Sequence, residues 1–227
     1  MSEGLPAVAI VDYRLGNLFS VKMACAVAGL DAVITSDRHA ILSADAVILP
    51  GVGAYGDAMA ALTELDLVSV LRDVASMGKP VLGVCLGMQL LMSETEEFGR
   101  HRGLGLIDGA VVRLEGLRPD GRPLKVPHIG WNTVEPAGDA AAWTTTPLES
   151  VPSGAYMYFV HSYVARPVDE RVVRSTTQFG STRVCSSLQQ GNVFACQFHP
   201  ERSGPDGLRM YHNFAAQVAA SFSKRSA

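Results

Sequence analysis

The sequence is poor in the features that mark a secreted scaffold, a membrane protein or a binder of nucleic acid. Its four cysteines, Cys25, Cys85, Cys185 and Cys196, are too few and too scattered for a disulfide framework or a paired zinc motif. They are expected as reduced thiols, most of them packed as small core residues. Apolar runs are short: Ala7 to Val11 is closed by Asp12, too brief for a signal or a membrane span. A cytoplasmic location is the expectation. Nor is there an excess of positive charge. Lys and Arg number 19 against 22 Asp and Glu, a net −3, which leaves no footprint for nucleic acid or an anionic membrane. Small polar metabolites stay open as ligands.

What the chain does have is apolar mass and punctuation. Hydrophobic residues make up 48% of 227, with 22 glycines and 12 prolines spread along the chain. That suits one domain over 1–227 with an ordered core from residue 6 to 222. Ala7 to Val11, Ala46 to Leu49 and Pro80 to Val84 read as strands. Asn17 to Ala28 and Asp57 to Met77 read as helices, closed by Gly29 and Gly78. This alternation predicts an α/β fold in three layers, a central, mostly parallel sheet with helices on both faces. Beyond a helix that opens at Gly87 the pattern changes. Ala110 to Leu114, Trp131 to Val134, Tyr156 to His161, Arg171 to Ser175 and Val193 to Gln197 read as strands of an antiparallel or mixed extension. Glu115 to Lys125, with Pro119-Asp120-Gly121 inside it, reads as a hairpin tip, and Asp206 to Phe222 as a closing amphipathic helix.

Within this pattern, Val81 to Gln89 has the form strand, Gly-x-Cys-x-Gly, helix, like a nucleophile elbow. A tight strand-to-helix turn needs small neighbours, and Gly83 and Gly87 supply them on either side of Cys85. Cys85 is then expected at the sheet's carboxyl edge, where the free amides and the dipole of the following helix favour a thiolate. The amide of Leu86 is placed to hold an oxyanion. The alternative is a buried core cysteine. Among six histidines, His199 stands out, because Gln197-Phe198-His199-Pro200-Glu201 follows an apolar strand. Strand ends are where open parallel sheets build their sites. Glu201, two residues on, is positioned to take the second imidazole proton and set the tautomer that receives a proton from the cysteine. The set is nucleophile, base and orienter. His161, which also ends a strand-like run, is the rival base but has no acid beside it.

Together these residues resemble the class I glutamine amidotransferases, whose motifs are an oxyanion Pro-Gly-x-Gly loop, Gly-x-Cys-x-Gly and His-Pro-Glu. All three occur in order, at 50–53, 83–87 and 199–201. The resemblance implies a flavodoxin-like fold and hydrolysis of glutamine to glutamate and ammonia through a glutamyl thioester, with no cofactor and no metal. Further segments, PGVGA at 50–54, CLGMQLL at 85–91, PHIGWN at 127–132, YFVHSY at 158–163 and QFHPERSG at 197–204, narrow the likeness to the branch that serves histidine biosynthesis. There the glutaminase forms a heterodimer with a (β/α)8-barrel cyclase that uses the ammonia to make imidazole glycerol phosphate. By the same resemblance Gly53 and Leu86 form the oxyanion hole, with Val52 in a loop whose peptide turns. Gln89, Glu97, Ser162 and Tyr163 line the glutamine pocket, and Trp131, Tyr158 and Arg202 face the partner and the ammonia exit. Arg202 departs from the lysine usual in the branch, which alters the geometry open to any ion pair there.

Plain alternatives accompany several of these residues. Glu94, Glu96 and Glu97 also read as a solvated acidic helix end, Trp131 and Tyr158 as packing, and Asp12 and Asn17 as loop and cap residues. For the whole chain, another class I amidotransferase, a stand-alone triad hydrolase or a catalytically silent binding subunit stay open.

Overall fold

The computed structural model describes residues 6–226; what the sequence suggests for the extreme ends falls on 1–5 and 227, outside the described residues. The first half alternates as its apolar runs predict: β1 (Ala7–Val11), α1 (Leu18–Val27), β2 (Asp31–Thr35), α2 (Arg38–Ser43), β3 (Ala46–Leu49), α3 (Tyr55–Glu64), α4 (Leu67–Ser76), β4 (Val81–Val84) and α5 (Leu86–Leu90). The second half is strand-rich: β5 (Met92–Thr95), β6 (His101–Arg102), β7 (Ile107–Arg113), β8 (His128–Pro136), β9 (Ala155–His161), β10 (Tyr163–Pro167), β11 (Val173–Phe179), β12 (Thr182–Gln190) and β13 (Val193–Cys196), before the closing helix α6 (Gly204–Ser226).

Nine strands form the main sheet in the order β2-β1-β3-β4-β13-β12-β11-β8-β9. The first five run parallel, and the remaining pairings are antiparallel. The parallel part has the 2-1-3-4-5 strand order of flavodoxin-like sheets. Because successive strand side chains point to opposite faces, each parallel strand feeds two cores. Ala9, Val11, Val47, Leu49, Val81, Val193 and Ala195 pack against α2 to α5. Val8, Ile10, Ala46, Ile48, Leu82, Val84, Phe194 and Cys196 pack against α1 and α6. Covering both faces explains why β3, β4 and β13 are buried at every position. Each aliphatic side chain so buried stabilises the fold by about 1.5–3 kcal/mol before conformational entropy is counted.

Three differences from the sequence reading have physical causes. The single helix expected from Asp57 to Met77 is two, α3 and α4, broken where Asp66 takes a left-handed conformation at φ +54°, which Asp tolerates better than most residues. The acidic run at 94–97 is not a helix end: Glu94 lies in β5, and Glu97 follows it, buried. And the strand-rich extension is divided, since β10-β7-β5-β6 form a separate four-stranded sheet. The hairpin tip at 115–125 is present, bridged between Leu117 and Pro123. Among the described residues no helix is long and apolar enough to cross a membrane.

Candidate active site

Four loops leave the carboxyl ends of neighbouring parallel strands and meet. After β1 comes Tyr13, after β3 the segment Pro50-Gly51-Val52-Gly53, after β4 Cys85, and after β13 His199. Cys85 sits on the turn into α5 with φ +55° and ψ −109°, a conformation few non-glycine residues hold unless their surroundings impose it. Gly87 is what lets the turn close, because a Cβ there would collide with the carbonyl oxygen of Leu49 at the end of β3. The adjoining loop is pinned in a similar way. The buried Tyr13 hydroxyl donates to the carbonyl of Pro50 at 2.7 Å, and any side chain at Gly51 would meet that hydroxyl. Burial, with a smaller contribution from Cys85, holds the Tyr13 phenol well above its ordinary pKa, so it stays a neutral donor.

His199 and Glu201 are joined through Nδ1 and Oε1 at 2.8 Å, with side chains 4% and 1% exposed. The other ring nitrogen, Nε2, is buried without a hydrogen-bond partner among the described residues, and Cys85 lies near enough to act on its charge. Burial works against a charged imidazole, but Cys85 and then Glu201 outweigh it and raise the His199 pKa. The arrangement is a thiol, an imidazole that holds a proton strongly, and a carboxylate that fixes the ring. His161, the rival base, is committed elsewhere. Its Nδ1 donates to the Tyr163 carbonyl at 3.0 Å and its Nε2 meets His128 Nδ1 at 3.1 Å. Burial pushes its pKa down to about 4.

A cavity of about 340 Å³ opens beside Cys85, walled by Val52, Gly53, Leu86, Gln89, Glu97, Ser162 and Tyr163 together with Pro127, Val160 and His161. All the residues expected for the oxyanion loop and the glutamine pocket are therefore gathered at one place. Leu86, first in its helix, has no intrahelical acceptor for its amide. Gln89 has its NH₂ group committed to the Tyr163 carbonyl and to Gln197 Oε1, at 3.0 and 2.9 Å. Glu97 accepts the Tyr55 amide at the N-terminus of α3 through Oε2, at 2.7 Å, where the helix dipole favours its charge. Trp131, Tyr158 and Arg202 lie outside the cavity wall as a stack: Arg202 covers the Tyr158 ring at 4.4 Å, and Tyr158 meets Trp131 edge-on at 6.0 Å and His199 at 6.4 Å. Asn17 caps α1 and Asp12 closes a turn onto the Arg14 amide.

Sequence reasoning missed Tyr13 and Gln197. Gln197 is fully buried and directs Nε2 at the Cys85 sulfur, 3.7 Å away. The available signal was strand periodicity, which puts 197 and 199 on the same side of an extended segment. A larger hollow, about 560 Å³, lies elsewhere against Arg166, Glu170, Arg183 and Cys185. It brings no imidazole to its thiol, which burial raises to about 12. Among the described residues no group of three or more His, Cys, Asp or Glu is arranged to hold a metal ion.

The fold and site define a class, and comparison with known proteins agrees. The model of the family described as glutamine amidotransferase class-I matches residues 15–218, and the chain belongs to that family. Solved structures at low identity share its fold: a structure titled a crystal structure of glutamine amidotransferase superposes with TM-score 0.69 at 20% identity, over 95% of this chain and all of that one. PurLQS from Thermotoga maritima superposes with TM-score 0.70 at 19% identity, over 95% and 100%. Within the family its near relatives are proteins named imidazole glycerol phosphate synthase subunit HisH. The one from Rhodopirellula baltica is 45% identical over 92% of this chain and 96% of its own. Those from Bacillus mycoides and Geobacter metallireducens are 43% and 42% identical, over 94% and 95% of this chain and 96% and 100% of theirs.

Proposed function

We propose that the chain acts, as one amidotransferase domain in the cytoplasm, as the glutaminase subunit of imidazole glycerol phosphate synthase in histidine biosynthesis. Its ammonia passes to a (β/α)8-barrel cyclase partner in a heterodimer. The observation that carries the chemical part is the imidazole of His199, locked by a buried carboxylate on one side and with its other ring nitrogen near Cys85, a thiol on a strained turn in the wall of a cavity of about 340 Å³. Relatives named as HisH subunits, similar over nearly their full length, support the pathway.

In this reading the Cys85 sulfur attacks the side-chain amide carbon of glutamine. The amides of Gly53 and Leu86 receive the negative charge that develops on the amide oxygen. His199 gives its proton to the departing nitrogen, releasing ammonia and leaving a glutamyl thioester, and then takes a proton from the water that hydrolyses it. Gln89, whose NH₂ is occupied, offers the substrate only its carbonyl oxygen. Glu97 supplies the negative charge for the substrate's ammonium. Val52 lies in the loop whose peptide turns to complete the oxyanion hole, and Ser162 and Tyr163 close the pocket. The Tyr158, Trp131 and Arg202 stack lies on the side where ammonia leaves and the partner docks. Free glutaminase activity would waste substrate, which is a reason to couple hydrolysis to a partner and to keep water out of the path the ammonia takes. In the assembled enzyme, Cys85→Ser is expected to abolish synthesis from glutamine and to spare synthesis from added ammonia. Loss of both would sink the assignment.

A further inference from the structure

Three side-chain contacts form a chain whose direction is set at one end by a group that can only accept. The carbonyl oxygen of Tyr163 lies 3.0 Å from one atom of the Gln89 amide; a carbonyl has no proton to give, so that atom is the NH₂ nitrogen. The same nitrogen is 2.9 Å from the Gln197 side chain, and a nitrogen donating there requires Gln197 to present its oxygen. The remaining Gln197 atom, its NH₂, is then the one 3.7 Å from the Cys85 sulfur. Gln197 is completely buried, so its amide is not free to turn and satisfy itself with water, and a turned Gln89 would set its oxygen against the Tyr163 carbonyl.

The sulfur has another neighbour of opposite preference. The carbonyl of Val160 is 3.8 Å from Cys85 Sγ; it accepts from the thiol S–H and repels a thiolate. Gln197 favours the other state, because an N–H donor stabilises the anion and an amide cannot take up a proton in exchange. We infer that Gln197 positions and stabilises the Cys85 thiolate by donating an N–H bond to its sulfur, in an orientation imposed from the pocket wall through Gln89 and the Tyr163 backbone. The consequence is that the wall that receives the substrate also sets the reactivity of the sulfur. This rests on Cys85 being the nucleophile.

The test is the pH dependence of iodoacetamide alkylation at Cys85, followed by peptide mass mapping on the full chain. Gln197→Glu keeps the size and the acceptor toward Gln89 but turns a carboxylate oxygen to the sulfur; Gln197→Met keeps the bulk with no amide. Both are expected to slow alkylation at neutral pH by about tenfold or more, as loss of a hydrogen bond to a charged group implies, and to shift the profile to higher pH, Glu further than Met. Gln89→Met leaves Gln197 in place but removes the donor that orients it, so it is expected to shift the profile in the same direction and serves if the Gln197 variants do not fold. A purely structural role predicts a lower melting temperature with an unmoved profile. Any folded variant of Gln197, or Gln89→Met, that alkylates with the unsubstituted profile overturns the inference. Glutamine hydrolysis that survives complete alkylation of Cys85 overturns instead the nucleophile assignment beneath it.

Discussion

At Glu201 one carboxylate oxygen holds His199 at 2.8 Å, while the other, Oε2, is buried with no hydrogen-bond partner among the described residues. A buried charge with an unmet acceptor is a cost to stability, and here it is retained beside the imidazole it orients. Glu201→Gln keeps an acceptor for Nδ1 and removes the charge. Glutaminase turnover of the complex is expected to fall by about 10²-fold, with the melting temperature of the chain at or above its original value; a large loss of stability with intact turnover would contradict this. His161 gives a second prediction, in pH. Its folded pKa, about 4, lies below the ordinary 6.5, so between those values the unfolded chain binds more protons than the folded one. The His161 contribution is therefore present above pH 6.5 and lost as pH falls toward 4, to the extent of roughly 3 kcal/mol. His161→Asn, which keeps a donor near the Nδ1 position, is expected to be less stable at neutral pH but to show a shallower fall in melting temperature across that window. Parallel falls would refute the assignment.

Among the elements, α5 passes close to the end of β3, where Gly87 leaves no room for a Cβ against the Leu49 backbone. Gly87→Ala is expected to cost about 1–3 kcal/mol by forcing the helix away, and to cut alkylation of Cys85 because the turn opens; unchanged denaturant unfolding would rule this out. The same contact shows which parts of the fold are readable from composition. Strands β3, β4 and β13 are uninterrupted apolar runs because both their faces are covered, and the Gly-x-Cys-x-Gly turn follows one of them. Strand β12 carries no such mark. Its buried Ser186 and Ser187 satisfy one another through Ser175 of β11, at 2.9 and 2.6 Å, so side-chain hydrogen bonds replace the apolar pattern that strand recognition relies on. Gln197 escaped notice for a related reason, being a buried polar side chain held by other side chains among motif residues with louder chemistry. The break between α3 and α4 was hidden because Asp66 adopts a left-handed conformation within a run whose helical period continues on both sides.

On the scale of the molecule, β8 and β9 present two unlike faces. Their register pairs Ile129 with Val160, Trp131 with Tyr158 and Thr133 with Tyr156 on one side, and His128 with His161 and Gly130 with Phe159 on the other. On the second side His128, His161 and Phe159 are buried. The first leaves Ile129, Trp131 and Tyr156 at 61%, 54% and 62% exposure, with Arg202 stacked over Tyr158 behind them. Aromatic and arginine side chains grouped in this way are the usual anchors of protein interfaces, and this group begins at the ring that touches His199. A partner seated here would both cover the apolar face and press on Tyr158, the ring that packs beside His199, so docking and turnover are expected to change together. Trp131→Ala should weaken association with the cyclase by about 2 kcal/mol, roughly 30-fold in Kd, with little effect on the melting temperature of the isolated chain, because half of the indole is already in water. Glutamine hydrolysis by the isolated chain should be low and should rise strongly when the cyclase and its nucleotide ligand are added, and in the Trp131→Ala chain the same rise should need correspondingly more cyclase. Full activity without a partner, or stimulation at an unshifted cyclase concentration despite the loss of Trp131, would place the docking face elsewhere or remove the need for one.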